Sequence, residues 1–185
     1  EWETPNLRID YGDLLVKKEE VLLNESIHLM PKAIFIFIMY GLELNDIMNI
    51  RLSHVQITDN EKELYVTIDN LATQTDRILH VQDQNEVNVL KNLFYQALDK
   101  GASHLVHTKK GDVYGMYNPS NLPDMIQPIT DQVGYSLRST KQTMYAYIYY
   151  LVKIKGRSIE HISEILGKPL KVTANLVKST LERVE

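Results

Sequence analysis

"MYGLELNDIMNIRLSHV", residues Met39–Val55, decides how this chain is read. The run that leads into it, "AIFIFIMY" (Ala33–Tyr40), is apolar on every side, and Pro31 suits the first turn of a helix. Those features predict a short helix at the centre of the core, closed by Gly41. After the Gly41-Leu42 turn, Leu44, Ile47, Met48 and Leu52 fall on one face of a second helix over residues 44–52. "RLSHV" then leads into a strand. Inside the turn, Glu43 sets a carboxylate directly after Gly41-Leu42.

Working outward, "DLLVKKEEVLLNES" has helical character ahead of this stretch. Behind it, "ELYVTID" (Glu63–Asp69) alternates with the period of a strand, and a polar turn separates it from "DRILHV" (Asp76–Val81), which predicts a β-hairpin. "EVNVLKNLFYQALDKG" is an amphipathic helix closed by Gly101. "SHLVHTKKGDVYG" is a short strand with a Lys-Lys-Gly turn, and "NPSNLPDMIQPITDQVG" is a helix with a break expected at Pro128. "TKQTMYAYIYYLVKIKG" predicts a long helix ending at Gly156. "SIEHISEILG" predicts another, N-capped by Ser158 and closed by Gly167, and a last helix runs over residues 172–184. The fold class is therefore mainly α (α+β), a helical bundle with a small antiparallel β-sheet on one side. Residues 1–12 read as a linker or arm and residues 13–185 as one domain.

With no cysteine, the chain has no disulfide, no thiolate nucleophile and no Cys-based zinc site. Its longest apolar run is too short to span a bilayer, and no secretory signal opens it, so a cytoplasmic protein without membrane contact is expected. Residues 1–100 carry nine Lys and Arg against seventeen Asp and Glu, and residues 101–185 carry eleven against seven. A basic second half on an acidic first half points to one anion-facing surface. His104 and His107 lack a further ligand nearby, so no metal is expected, and no cofactor motif is present. "GKP" at 167–169 lacks the upstream glycine and the Ser/Thr of a phosphate loop. Tyr145, Tyr147, Tyr149 and Tyr150 crowd one helix and read as packing residues.

In this order the elements resemble the catalytic domain of the tyrosine recombinases, the phage integrase family, over about Asp13 to Lys178. "MYGLELNDIMNIRLSHVQIT" is similar to the family's Thr-Gly-Leu-Arg helix-turn segment, and "TQTDRILHV" to its Lys-x-x-Arg hairpin arm. "HLVHTKKGDVYGMYNPSNL" is similar to its Leu-Phe…Gly segment, and "KGRSIEHISEILGKPLKVTANL" to its Leu-Leu-Gly-His…Tyr close. The resemblance implies a tyrosine nucleophile that attacks a DNA phosphate. It also implies two arginines with a His or Trp to stabilise the charged transition state, a hairpin lysine as general acid and an assisting histidine.

Carried over residue by residue, that set is missing. The first arginine falls on Glu43, the hairpin lysine on Ala72, the histidine after Leu-Gly on Lys168 and the tyrosine on Val177. The His-x-x-Arg box has two placements. By letters, "YSLRST" makes Arg138 the second arginine; by length, the histidine falls on Gln142 and the arginine on Tyr145. The second is favoured, because the first would lengthen a core helix by about two turns. Glu43 would repel a phosphate where charges are poorly screened. The expectation is a domain without the family's chemistry that still binds double-stranded DNA. It would act as a transcriptional regulator, similar in kind to the integrase-like lysogeny repressors of temperate Bacillus phages, with a helical DNA-clamping domain upstream.

Phosphate contacts need only cations, polar groups and helix N-termini. The candidates are Arg77 on the hairpin, Lys109 and Lys110 at a turn, Arg138 and Lys141 at the start of the long helix, and Lys168 and Lys171 near the last turn. The final segment is also similar to a helix-turn-helix, which directs Lys171, Thr173 and Asn175 towards bases. The resemblance further allows homo-oligomerisation by exchange of the C-terminal helix. Two other readings remain: an active recombinase with displaced residues, and a protein-interaction module using the acidic first half.

Overall fold

The computed structural model describes residues 9–69 and 76–184. Helix α1 (Tyr11–Leu23) is capped by Asp10, whose carboxylate accepts from the Asp13 amide at 3.2 Å. Ile9 and Tyr11 are already buried, so the packed domain begins ahead of residue 13. Helix α2 (Leu29–Met39) is buried from Pro31 through Met39, as an all-round apolar helix must be.

After the Gly41 turn, α3 (Leu44–Met48) is shorter than its apolar face suggested. The Asn49 side chain caps it by donating to the Asn45 carbonyl at 2.7 Å. Ile50 turns into the core, and Leu52 opens a separate 3₁₀ turn, Leu52–His54.

Strands β1 (Val55–Ile57), β2 (Leu64–Ile68) and β3 (Arg77–Val81) form an antiparallel sheet in the order β1-β2-β3. Leu64 pairs with Val81 and Ile68 with Arg77. This register puts Leu64, Val66 and Ile68 on the buried face with Leu79 and Val81. Residue 77 has the same parity, so Arg77 faces inward too.

Helix α4 (Gln84–Asp99) packs against α2. The segment read as one strand is a hairpin, β4 (His107–Lys110) with β5 (Val113–Met116), because Lys110 pairs with Val113 across a two-residue Gly111-Asp112 turn. Helix α5 (Leu122–Val133) runs through Pro128 without a break. Pro128 lies on the exposed side, where the carbonyl it leaves unbonded can meet water.

Helix α6 (Thr140–Tyr149) continues as a π-helical stretch, Tyr150–Ile154, to the turn at Gly156. Helices α7 (Ile159–Leu166) and α8 (Leu170–Val184) fold back on it. Apolar packing forms two clusters. The larger gathers α1 to α5 and the sheet around α2. The smaller joins α6, α7 and α8 through residues such as Tyr145, Ile148, Ile162, Leu166 and Val177. Tyr147 touches both. Among the described residues no helix is long and apolar enough to cross a membrane.

Candidate functional site

The positions singled out in the sequence converge on the Gly41 turn. Gly41 takes a left-handed backbone (φ 82°), and a side chain there would meet Tyr147 of α6 at 2.8 Å. The turn hands the chain to Glu43, which precedes α3, and the Glu43 amide donates to the Asp46 carboxylate at 3.3 Å. The Leu44 amide donates to the Thr140 hydroxyl at 3.1 Å, which fixes the start of α6 beside Glu43. From the other side, the α7–α8 turn brings Gly167 and Lys168 over β3. Gly167 also has positive φ (64°), and a Cβ on it would lie 2.6 Å from the Arg77 Cβ. A shallow depression results, bounded by Gly41, Leu42, Asp46, Arg77, Gly167 and Lys168. Its volume of about 20 Å³ holds one water-sized group and no larger ligand.

Charges of both signs meet at the depression. Arg77 is buried, and one guanidinium nitrogen donates to the Tyr40 carbonyl at 2.6 Å. Burial lowers its pKa, opposed by Tyr147 and Asp46, yet a guanidinium stays charged under any ordinary condition. Asp46 is half-buried and its pKa is raised: desolvation, with the nearby Glu43 charge, outweighs the Glu43 amide, Lys168 and Arg77, which pull it down. Two carboxylates, Glu43 and Asp46, thus stand beside two cations, Arg77 and Lys168, at the depression.

Behind the depression runs a buried polar chain. The Lys18 ammonium lies 2.6 Å from the Glu86 carboxylate, and the Tyr40 hydroxyl donates to the same carboxylate at 2.7 Å. Tyr40 in turn accepts the Arg77 bond through its carbonyl. Burial, then Glu86, pushes the Tyr40 hydroxyl pKa well up, so it remains a donor. The Tyr11 hydroxyl donates to the Met39 carbonyl, tying α1 to the end of α2.

The remaining sequence candidates divide. Lys168 is half-buried at the rim of the depression. Gln142 is half-buried on the first turn of α6, and Tyr145 is buried one turn on, with the Arg183 guanidinium 4.3 Å from its ring centroid. Arg138 lies exposed ahead of α6, and Lys141 is exposed on its first turn. Lys109 and Lys110 are exposed on β4, and Lys171 and Asn175 on α8.

Val177, at the position the resemblance gives to a tyrosine, is buried in the small apolar cluster. No tyrosine occurs on α7 or α8. Ala72 lies outside the described residues. Helix α8 packs on α6 and α7 of its own chain. His104 and His107 are buried, each bonded locally, and among the described residues no group of three potential metal-ligating side chains occurs.

Two DNA-contact expectations need correction. Thr173 is fully buried, and its hydroxyl donates to the Pro169 carbonyl at 3.1 Å, so it cannot present a hydroxyl to a base. Arg77 is not a surface cation; strand parity turns it into the core. Asp46 and Thr140 were not singled out in the sequence, although Asp46 three residues after Glu43 is a helix-start spacing.

No protein-family model and no curated protein sequence matches the chain. Solved structures do. The XerA recombinase superposes with a TM-score of 0.63 at 17% identity, covering 96% of this chain and 61% of its own. The XerH site-specific recombinase bound to its difH substrate superposes with a TM-score of 0.66 at 10% identity in both its pre-cleavage and post-cleavage complexes. These cover 94% of this chain and 50% and 49% of theirs. The chain thus spans between half and three-fifths of the length of these recombinases. The fold is that of a tyrosine recombinase.

Proposed function

We propose that this chain is a DNA-binding protein whose tyrosine-recombinase-like domain carries out no strand cleavage and serves as a transcriptional regulator, a repressor of a phage or other mobile element. One observation carries the reading: Val177 is packed among Tyr145, Ile162 and Leu166 instead of offering a hydroxyl to a phosphate. Glu43 and Asp46 beside the depression support it, since two carboxylates oppose the negative charge that builds up in phosphoryl transfer. Duplex DNA is the partner favoured by the fold shared with XerH, which was solved on its difH substrate, and by the exposed cations Lys109, Lys110, Arg138, Lys141 and Lys171. Such a protein works in the cytoplasm, where its operators are.

A nicked suicide duplex, which traps any covalent protein–DNA link, tests the absence of chemistry. The intact protein is expected to give no adduct, and neither is Glu43→Arg, since a restored cation cannot replace the nucleophile. A covalent adduct from the unaltered protein would mean an active recombinase with displaced residues. In mobility shifts at low salt, Glu43→Arg is expected to tighten non-specific binding several-fold, because it exchanges a repulsion for an attraction. Unchanged affinity would mean that Glu43 does not face the backbone.

A further inference from the structure

We infer that the outer face of α1 docks on the α6–α7 turn of a second copy of this chain. Glu19 and Glu20 of one copy meet Lys153, Lys155 and Arg157 of the other, around exposed aliphatic side chains. The inference does not depend on DNA binding and adds self-association to it.

Helix α1 packs on one side only. Leu14, Val21 and Leu22 are buried in the larger cluster. Val16, Glu19, Glu20 and Leu23 are exposed, and at about 3.6 residues per turn they form one stripe roughly 100° wide. Val16 and Leu23 are 77% and 58% exposed, so the stripe is as aliphatic as it is acidic. The two lysines of α1 do not offset its acids. Lys17 is spent on Asp13 and the Val133 carbonyl, and Lys18 on the buried Glu86. Among the described residues neither Glu19 nor Glu20 is in an ion pair.

The α6–α7 turn has the opposite charge and the same aliphatic character. Residues 153–161 are all exposed, and they carry Lys153, Lys155 and Arg157 against one acid, Glu160. Among the described residues none of these three cations is in an ion pair. Ile154 stands between them, 64% exposed. In unbroken α register it would follow the buried Ile148 and Leu151 at three-residue spacing. The π-helical stretch shifts that phase: the Lys155 amide donates to the Tyr150 carbonyl, five residues back, at 3.0 Å. Ile154 is thereby turned to the surface, and Ile159 adds a second exposed aliphatic group at the start of α7. None of the residues in this stretch borders the depression at Gly41. Acid meeting base sets the register of such a contact, while the aliphatic groups of both surfaces leave water together. A stripe about 10 Å long on one turn makes a contact below about 1,200 Å², in the weak and reversible class.

Sedimentation equilibrium of the intact protein without DNA, up to about 1 mM and over a salt series, tests this. Self-association is expected, and it should weaken as salt rises. Glu19→Lys/Glu20→Lys and Lys153→Glu/Arg157→Glu should each lower the association constant about tenfold, because each sets like charges against one another. Ile154→Ala should lower it several-fold at unchanged salt dependence. All five side chains are exposed, so melting temperatures should match the parent. Mixing the two charge-reversed proteins should restore association between unlike copies, since the reversed α1 of one then faces the reversed turn of the other. The inference falls if the intact protein stays monomeric throughout, if both reversed proteins associate as the parent does, or if their mixture does not associate. In each of these cases the DNA-binding reading stands, because mobility shifts measure it separately.

Discussion

Gly167→Ala is expected to destabilise the fold by about 2–5 kcal/mol, far more than the same change at an ordinary left-handed glycine. Two terms add. Residue 167 needs positive φ, which costs an alanine about 1 kcal/mol or more. The new methyl would also lie 2.6 Å from the Arg77 Cβ and 3.2 Å from its Cα, atoms of a sheet strand that cannot swing aside. Gly156 provides the control. Its φ of 62° is almost the same, but nothing lies within 4 Å of where a Cβ would be, so Gly156→Ala carries the backbone term alone. Urea midpoints of the two variants, at unchanged m-value, separate the terms. Equal midpoints would mean that the α7–α8 turn can move away from β3 at little cost.

Lys18→Met should be comparably severe, about 3–5 kcal/mol near neutral pH, because it strands the Glu86 carboxylate. That side chain is 4% exposed and would retain the Tyr40 hydroxyl but no counter-charge. The double variant Lys18→Met/Glu86→Leu should recover much of the stability, since removing both charges of a buried pair is far milder than removing one. Melting the four proteins of this cycle at neutral pH tests both expectations. A Lys18→Met protein as stable as the parent at neutral pH would show that Glu86 is reached by water.

The core was legible because it follows from periodicity alone. The all-round apolar run over Ala33–Tyr40 had to be central, and β2 and β3 had to alternate. The same alternation applied to "DRILHV" would have turned Arg77 inward with Leu79 and Val81, before any thought of DNA. Helical phase would likewise have removed Thr173, which lies four residues before Val177 on the same face. The second strand after Lys110 and the early end of α3 were not legible. They depend on cross-strand pairing and on an Asn49 side-chain bond, which the identities of neighbours in the chain do not determine. The site itself could be read only by absence. Which residues stand at the recombinase positions is a matter of letters, whereas the compensation of Arg77 by Tyr40 and the closeness of Asp46 to Lys168 arise only once four separate segments meet.

The division of apolar packing into two clusters sets two scales of opening. Helix α2 is closed in by α4, α5 and α6, so its amides exchange with solvent only when the whole domain unfolds. Helices α7 and α8 rest on the smaller cluster, and the buried side of α8 includes two threonines whose hydroxyls bond within their own helix. Their amides are therefore expected to exchange sooner than those of α2, once the Gly167–Arg77 contact parts. The element that carries Lys171 and Asn175 thus belongs to the less protected part of the molecule, and a partner bound along it would register first as slowed exchange there.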